Sequence, residues 1–180
     1  LSVDGRPVFI DAGTWLYHSG EDVRNELRSS QAHNTLSLAQ MSQSEPSAAF
    51  SWAAKAQAHY SDEPADANAS WRMAGEHDGY RARAGLAHRR EIAGSPHGFA
   101  ISDMLRGEGG AHAVELSFLC APDILAYEEK GAIALRRNGR AVLRMIAPEG
   151  FTASIAEGRY SPRFGEVGCT AKILLVGRMA

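Results

Sequence analysis

Short runs in which apolar and polar residues alternate recur along the whole chain, and most of them are followed within a few residues by Gly, Pro, Asp or Asn. Alternation with a period of two is the pattern of a half-buried strand. About a dozen such runs at close spacing favour an antiparallel sandwich or barrel. Because the pattern is even and the connecting segments are short, we expect one all-β domain over residues 1–180.

The predicted strands are separated by recognisable turns. Asn138-Gly139 is the strongest hairpin signal in the chain, and the segment from Gly107 to Gly110 predicts another turn. Residues 61–69 are polar and predict a loop. The predicted strands cover residues 1–3, 7–10, 33–38, 48–60, 71–76, 86–92, 99–105, 113–119, 132–136, 141–146, 151–155 and 172–176.

Helical signals are weak. Residues 21–30 predict one short helix, because the acidic side chains come early and the arginines late, which suits the helix dipole. No other segment carries a comparable pattern. We therefore expect at most one short helix beside the strands.

The composition excludes several classes of protein. With 44% hydrophobic and 22% charged residues, the chain resembles neither a disordered tail nor a collagen-like rod nor a coiled coil. A net charge of −2 provides no bulk attraction to nucleic acid, so we expect no such partner. No apolar run is long enough for a membrane-spanning helix. The chain begins at Leu1 within a strand-like pattern, which predicts that it is part of a longer protein.

Two cysteines, Cys120 and Cys169, lie far apart in the sequence. Neither belongs to a Cys-x-x-Cys pair, which argues against a zinc ribbon or a thioredoxin-type site. They could form one disulfide in an oxidising compartment or be separate buried thiols. The sequence leaves both alternatives open.

Polar side chains concentrate in the first forty residues. Asp11 ends a predicted strand, and His33 begins the next one. If the two strands are neighbours, a carboxylate and an imidazole meet at one sheet edge. Such a pair is common among zinc ligands, although zinc needs at least three protein ligands. The alternative is a structural hydrogen bond between the two side chains.

Three further residues of this region are candidates for chemistry. Tyr17 lies in a loop, where its hydroxyl could act as a general acid or base, or the ring could simply be half-buried. Arg24 and Arg28 are one helical turn apart and share a face, which suits recognition of a carboxylate or sulfate. The alternative for the arginines is a solvated face paired with Glu21 and Glu26.

The rest of the chain carries no comparable cluster. Strand alternation predicts that Arg89 points away from His88 and Arg90, and that one arginine is partly buried and paired. No Gly-rich phosphate loop and no Gly-x-Ser-x-Gly elbow is present. The other histidines show no ligand spacing and are expected at the surface or in loops: His59, His77, His97 and His112.

Taken together, several motifs resemble one known family. The more specific ones are Asp11-Ala12-Gly13-Thr14 and Ala32-His33-Asn34-Thr35. Supporting ones are Tyr17, Arg24, Arg28, His88-Arg89-Arg90-Glu91-Ile92, Ile101-Ser102-Asp103 and Tyr160-Ser161-Pro162-Arg163-Phe164-Gly165. They are similar to the C-terminal region of the heparinase II/III-like polysaccharide lyases, and the resemblance spans nearly the whole chain.

The resemblance implies a fold and an activity. Family members pair an N-terminal α/α toroid with a C-terminal antiparallel β-sandwich, so we expect two large packed sheets here. Their substrates are acidic polysaccharides such as heparan sulfate or alginate, and the reaction is β-elimination. The family also suggests the periplasm or cell envelope as location, with the cytoplasm as an alternative.

The resemblance also assigns roles. Asp11 and His33 match two of three zinc ligands, and the third belongs to a His-rich motif that would precede Leu1. Tyr17 falls near a catalytic tyrosine of some members, while Arg24, Arg28 and Asn34 are expected to bind substrate. The toroid would be the partner that completes the cleft. The alternatives are a non-catalytic glycan-binding or structural sandwich, and a sugar epimerase or mutarotase, for which no self-contained acid–base pair is evident.

Overall fold

A computed structural model describes residues 1–18, 21–62, 70–96 and 98–180, and these residues form mostly strands. The predicted 61–69 loop, apart from its first two residues, and His97 lie outside the described residues. The elements are β1 (Ser2–Val3), β2 (Arg6–Pro7), α1 (Glu21–Arg28), β3 (Leu36–Leu38), β4 (Glu45–Ala48), β5 (Ser51–Ala54), β6 (Ala58–Asp62), β7 (Trp71–Tyr80), α2 (Arg81–Ala84), β8 (Leu86–Ser95), β9 (Gly98–Gly107), β10 (His112–Leu119), β11 (Leu125–Glu129), β12 (Ala132–Arg137), β13 (Arg140–Ile146), β14 (Thr152–Tyr160) and β15 (Gly168–Met179).

The strands of the described residues pair antiparallel in five sheets. The two largest have four strands each, in the orders β14-β15-β10-β3 and β6-β7-β8-β9. A three-stranded sheet, β11-β12-β13, and the hairpins β1-β2 and β4-β5 complete the fold. This arrangement confirms the predicted all-β sandwich, with the strands divided among more sheets than expected.

The main core combines side chains from both four-stranded sheets and from the three-stranded sheet. Leu36 of β3, Leu116 of β10, Leu135 of β12 and Ile173 of β15 are buried in it, and so is Tyr80 at the end of β7. The Tyr80 hydroxyl donates to the Leu36 carbonyl at 2.9 Å, so its polar end is satisfied inside the core. Burying each large apolar side chain stabilises the fold by about 1.5–3 kcal/mol.

The hairpin prediction at Asn138-Gly139 is confirmed. Arg137 pairs with Arg140 across the turn, and the two central residues have φ angles of 50° and 77°. Positive φ at both positions is the type I′ geometry that matches the strand twist, and Asn followed by Gly adopts it at little cost. The turn therefore sets the register of β12 against β13.

Local differences from the predicted elements have simple causes. The predicted helix is present as α1, followed by a 3₁₀ turn at Ser30–Ala32. The predicted strand 48–60 is instead divided among β4, β5 and β6, because the chain reverses at residues 49–50. Strand β11 was not predicted, since its mostly exposed residues show no alternation. The second helical turn, α2, was not predicted either.

Both cysteines are free thiols. Cys120 is buried in the main core, and burial raises the pKa of its thiol to about 12. Cys169 is exposed on β15. Within the described ranges, the helices are all too short or too polar to cross a bilayer.

Candidate functional site

A second, smaller core supports the first forty residues. Ala12, Leu27 of α1 and Leu119 of β10 are buried together, and Trp15 and Tyr160 pack around them. Helix α1 therefore sits against the segment that carries Asp11.

Asp11 and His33 meet, as the sequence predicted. The His33 Nδ1–H group donates to Asp11 Oδ1 at 2.7 Å, and the amide of Gly13 donates to Asp11 Oδ2 at 3.0 Å. Burial alone would raise the pKa of Asp11, but the hydrogen bonds from Gly13 and His33 outweigh it and hold the pKa below its ordinary value. Asp11 is therefore a carboxylate at neutral pH.

Gly13 is required by the backbone at this turn. Its φ is +72°, and a Cβ atom there would lie 2.7 Å from the Ser161 carbonyl oxygen. The Ser161 amide donates to the Ala12 carbonyl at 2.7 Å. The Asp11-Ala12-Gly13 motif and the segment around Ser161 thus form one structural unit, although about 150 residues separate them in sequence.

His33 has one ring nitrogen open to a further partner. Because Nδ1 of His33 donates to Asp11, Nε2 of a neutral ring carries a lone pair, and no described residue hydrogen-bonds to it. The side chain of His33 is 32% exposed and that of Asp11 is 70% exposed. Both side chains can therefore be reached from solvent. Among the described residues, no group of three or more His, Cys, Asp or Glu side chains is placed to hold a metal ion, so Asp11 and His33 alone fall short of the three protein ligands that zinc needs.

Asn34 lies beside His33 and connects two chain segments. Its Nδ2 group donates to the Ile10 carbonyl at 2.9 Å, and its Oδ1 accepts from the Leu119 amide at 2.7 Å. The Ile10 amide also donates to the Leu119 carbonyl at 2.9 Å. The Asn34 side chain therefore holds the strand before Asp11 against the end of β10.

The predicted arginine face exists, but its guanidinium groups bind the β4–β5 hairpin. Buried Arg24 donates from Nε to the Leu16 carbonyl at 2.7 Å and from Nη2 to the Ala49 carbonyl. Arg28 donates to the Ala48 carbonyl at 3.1 Å and stacks over the Trp52 ring at 4.2 Å.

The alternative prediction was that Arg24 and Arg28 pair with Glu21 and Glu26. Glu26 pairs with neither arginine. Glu26 pairs with Arg159 at 2.9 Å instead. The side chain of Glu21 lies outside the described part of the structure.

Tyr17 belongs to a cluster of exposed rings. Its ring centroid lies 6.0 Å from that of Phe50 and 5.5 Å from that of Phe164. The ring is 54% exposed, so the half-buried alternative describes Tyr17 well. Neither Phe50 nor Phe164 was singled out as a site residue, because an isolated Phe in a sequence gives no sign of its exposure.

A buried polar network lies behind Asn34 and joins β8 to β9. Asp103 of β9 accepts from His88 Nε2 at 2.6 Å and from two nitrogens of Arg90 at 2.7 and 2.9 Å. Arg90 also donates to the Asn34 carbonyl at 2.6 Å. Burial would raise the pKa of Asp103, but the hydrogen bonds from His88 and Arg90 lower it further than burial raises it.

The network continues to His77, which was expected at the surface or in a loop. That prediction is wrong, because His77 lies in β7 directly opposite His88. The Gly79 amide donates to His77 Nδ1 at 3.2 Å, so His77 Nε2–H donates to His88 Nδ1 at 3.1 Å. The cross-strand register, which the sequence does not reveal, creates this series of hydrogen bonds from His77 through His88 to Asp103. The prediction that one arginine of this strand is partly buried and paired is confirmed, and that arginine is Arg90.

The fold and sequence were compared with known proteins. The family model described as "Heparinase II/III-like, C-terminal" matches residues 1–180. A solved heparinase III superposes with a TM-score of 0.67 and 18% identity, over 98% of this chain and 28% of that one. The heparan sulfate lyase HepC from Pedobacter heparinus gives a TM-score of 0.64 and 18% identity, over 97% of this chain and 29% of that one. No curated protein matches the sequence.

These structures share the fold of this chain, which spans less than a third of their length. The family model, by contrast, matches the chain over residues 1–180, a range that contains the candidate site. The chain therefore belongs to the heparinase II/III-like C-terminal family.

Proposed function

We propose that this chain is the C-terminal sandwich of a polysaccharide lyase that cleaves an acidic, uronic-acid-containing glycan by β-elimination. The observation that carries the proposal is the family match over residues 1–180, with the Asp11–His33 pair in direct contact at 2.7 Å. The solved structures with this fold are more than three times longer. An N-terminal α/α toroid is the proposed partner that completes the cleft.

The chemistry requires an acidic C–H bond. A base removes the C5 proton of the uronic acid, the C4–O bond breaks as a C4–C5 double bond forms, and an acid protonates the leaving oxygen. Cations or hydrogen-bond donors beside the uronate carboxylate stabilise the charge that develops. Within this chain, the exposed Tyr17 hydroxyl is the proposed acid or base.

The proposed substrate-binding residues contribute in different ways. Arg24 Nη1 and Arg28 Nε make no hydrogen bond to a described residue, so they remain free to bind a carboxylate or sulfate. Both ends of the Asn34 carboxamide form hydrogen bonds to backbone groups, so the proposed role of Asn34 is to position the neighbouring His33.

Zinc is the proposed cofactor, with Asp11 and His33 as two of its ligands and a further ligand from outside this chain. Bound zinc would supply a fixed positive charge and order the turn at Asp11. For both side chains to hold the same ion, His33 Nδ1 would have to give up the proton that it shares with Asp11 and bind the metal in its place. The periplasm or cell envelope is the proposed location.

The lyase activity is testable with the full-length protein. Incubated with heparan sulfate or alginate, it is expected to release unsaturated product, which absorbs ultraviolet light because of the new double bond. The 180-residue chain alone is expected to release none, since the toroid half of the cleft is missing. Absence of product from the full-length protein on every uronic-acid glycan would refute the lyase and favour a glycan-binding module.

The zinc site is testable by metal content. In the full-length protein, His33→Ala is expected to remove most of the bound zinc measured by elemental analysis, because it deletes one ligand of a small set. His59→Ala, at an exposed histidine of β6, is the matched control and should leave zinc unchanged. Equal zinc content in the two variants would show that Asp11 and His33 form a structural hydrogen bond only.

A further inference from the structure

Three exposed aromatic rings from separate parts of the chain meet at one place on the surface. Tyr17, Phe50 and Phe164 are 54%, 73% and 62% exposed, and we call them the aromatic platform. The Tyr17 ring contacts both phenylalanine rings, at centroid distances of 6.0 and 5.5 Å. Contiguous exposed apolar surface of this kind marks an interaction site, because leaving it in water is unfavourable.

Hydrogen bonds to the backbone hold the segments that carry the platform in place. Phe50 is at the turn between β4 and β5, where Arg24 and Arg28 bind the carbonyls of the residues on either side. The guanidinium of Arg24 also lies 5.7 Å from the Phe50 ring centre. Next to Phe164, the Gly165 amide donates to the Trp15 carbonyl at 3.0 Å. Segments that are ordered before binding lose little conformational freedom when a ligand binds.

Cationic groups border the platform. Arg28 stacks over Trp52 and uses only two of its nitrogens in hydrogen bonds to described residues. A depression of about 100 Å³ lies between Tyr17, Arg24 and the β4–β5 turn. That volume holds a single substituent and not a sugar ring, since one water molecule occupies about 30 Å³ of liquid. The free Nη1 group of Arg24 supplies donors there for an anion.

We propose that a pyranose ring of an anionic oligosaccharide stacks on Tyr17, Phe50 and Phe164, with its carboxylate or sulfate beside Arg24 and Arg28. The electron-rich ring faces attract the C–H groups of a sugar, and the arginines favour an acidic one. This inference rests on the proposed function for the class of glycan and adds the place where the glycan binds. A protein partner would use the rings equally well, but it would not need the free guanidinium nitrogens.

The test uses the full-length protein with a heparin-derived tetrasaccharide as probe. The double variant Phe50→Ala/Phe164→Ala is expected to weaken binding, measured by titration calorimetry, about tenfold, because two ring contacts are lost. If the protein turns the probe over, kcat/KM should fall by at least the same factor. Both residues are exposed, so folding should be unaffected.

Two controls make the result specific. Tyr127→Ala removes a ring of the β11-β12-β13 sheet, away from the platform. That ring is 48% exposed and lies 5.7 Å from the Arg136 guanidinium, and its removal should not change binding. Maltotetraose, which is neutral, should bind the wild-type protein at least about tenfold more weakly than the sulfated probe. Equal binding of the two sugars would overturn the anionic part of the proposal.

The outcomes separate this inference from the proposed function. Unchanged affinity and kcat/KM in the double variant of an active lyase would overturn the platform, assign it to a protein contact and leave the lyase intact. Weakened binding in a protein that forms no unsaturated product would support the platform and refute the lyase.

Discussion

Asp103→Ala is expected to lower the free energy of unfolding by about 3–5 kcal/mol, the largest effect of any substitution considered for this protein. The Asp103 side chain is only 5% exposed, and it accepts hydrogen bonds from both His88 and Arg90. Its removal leaves the Arg90 charge partly buried without a counter-ion and the His88 Nε2–H group without an acceptor. Urea unfolding at pH 7 measures the change.

A neighbouring residue provides the control for this substitution. Ser102 is exposed on the opposite face of β9, so Ser102→Ala should change the free energy of unfolding by less than about 0.5 kcal/mol. A similar small loss for Asp103→Ala would mean that water reaches the Arg90 guanidinium and that the contact behaves as a surface ion pair.

Stability is expected to fall as the pH is lowered from about 6.5 to about 4, with His77 as the main cause. Burial, helped by the nearby charges of His88 and Arg90, lowers the pKa of His77 to about 4 from an ordinary 6.5. Between these two values the unfolded chain binds a proton at His77 and the folded chain does not. The free energy of unfolding therefore falls as protons are added, by at most about 1.4 kcal/mol per pH unit. Because His77 is only partly buried, we expect a total of about 2 kcal/mol.

Unfolding measured at pH 7, 6 and 5 tests this dependence. His77→Gln is expected to flatten the profile, since glutamine does not titrate but can still accept from Gly79 and donate to His88. His59→Gln, on the adjacent strand and exposed, should keep the wild-type slope. If both variants have the same slope, the acid sensitivity arises elsewhere in the chain.

Local patterns identified most of the strands. Alternation located β7 to β10 and β12 to β15, because a strand with one buried face must repeat every two residues. The same rule failed for β11, which is mostly exposed, and for residues 48–60, where a turn interrupts a continuous apolar pattern. Helix α1 could be predicted from the order of its charges, but its contact with the segment of Asp11 could not.

The candidate site shows the same division. The sequence predicted that Asp11 and His33 could meet as a pair, and their contact is confirmed. Arg24 and Arg28 share a helix face as expected, but only the structure shows that their guanidinium groups bind the carbonyls of a hairpin turn. Every residue has a backbone carbonyl, so the sequence cannot show which carbonyl accepts a hydrogen bond from an arginine.

Sequence alone determined the all-β class, because that depends on local periodicity and turn residues, and its short motifs indicated the family and the candidate site residues. The tertiary structure decided which of these residues meet. The register of β7, β8 and β9 aligns His77, His88 and Asp103 in one buried chain, and the meeting of three distant segments creates the aromatic platform. Both depend on contacts between residues far apart in the chain, which a local pattern cannot specify.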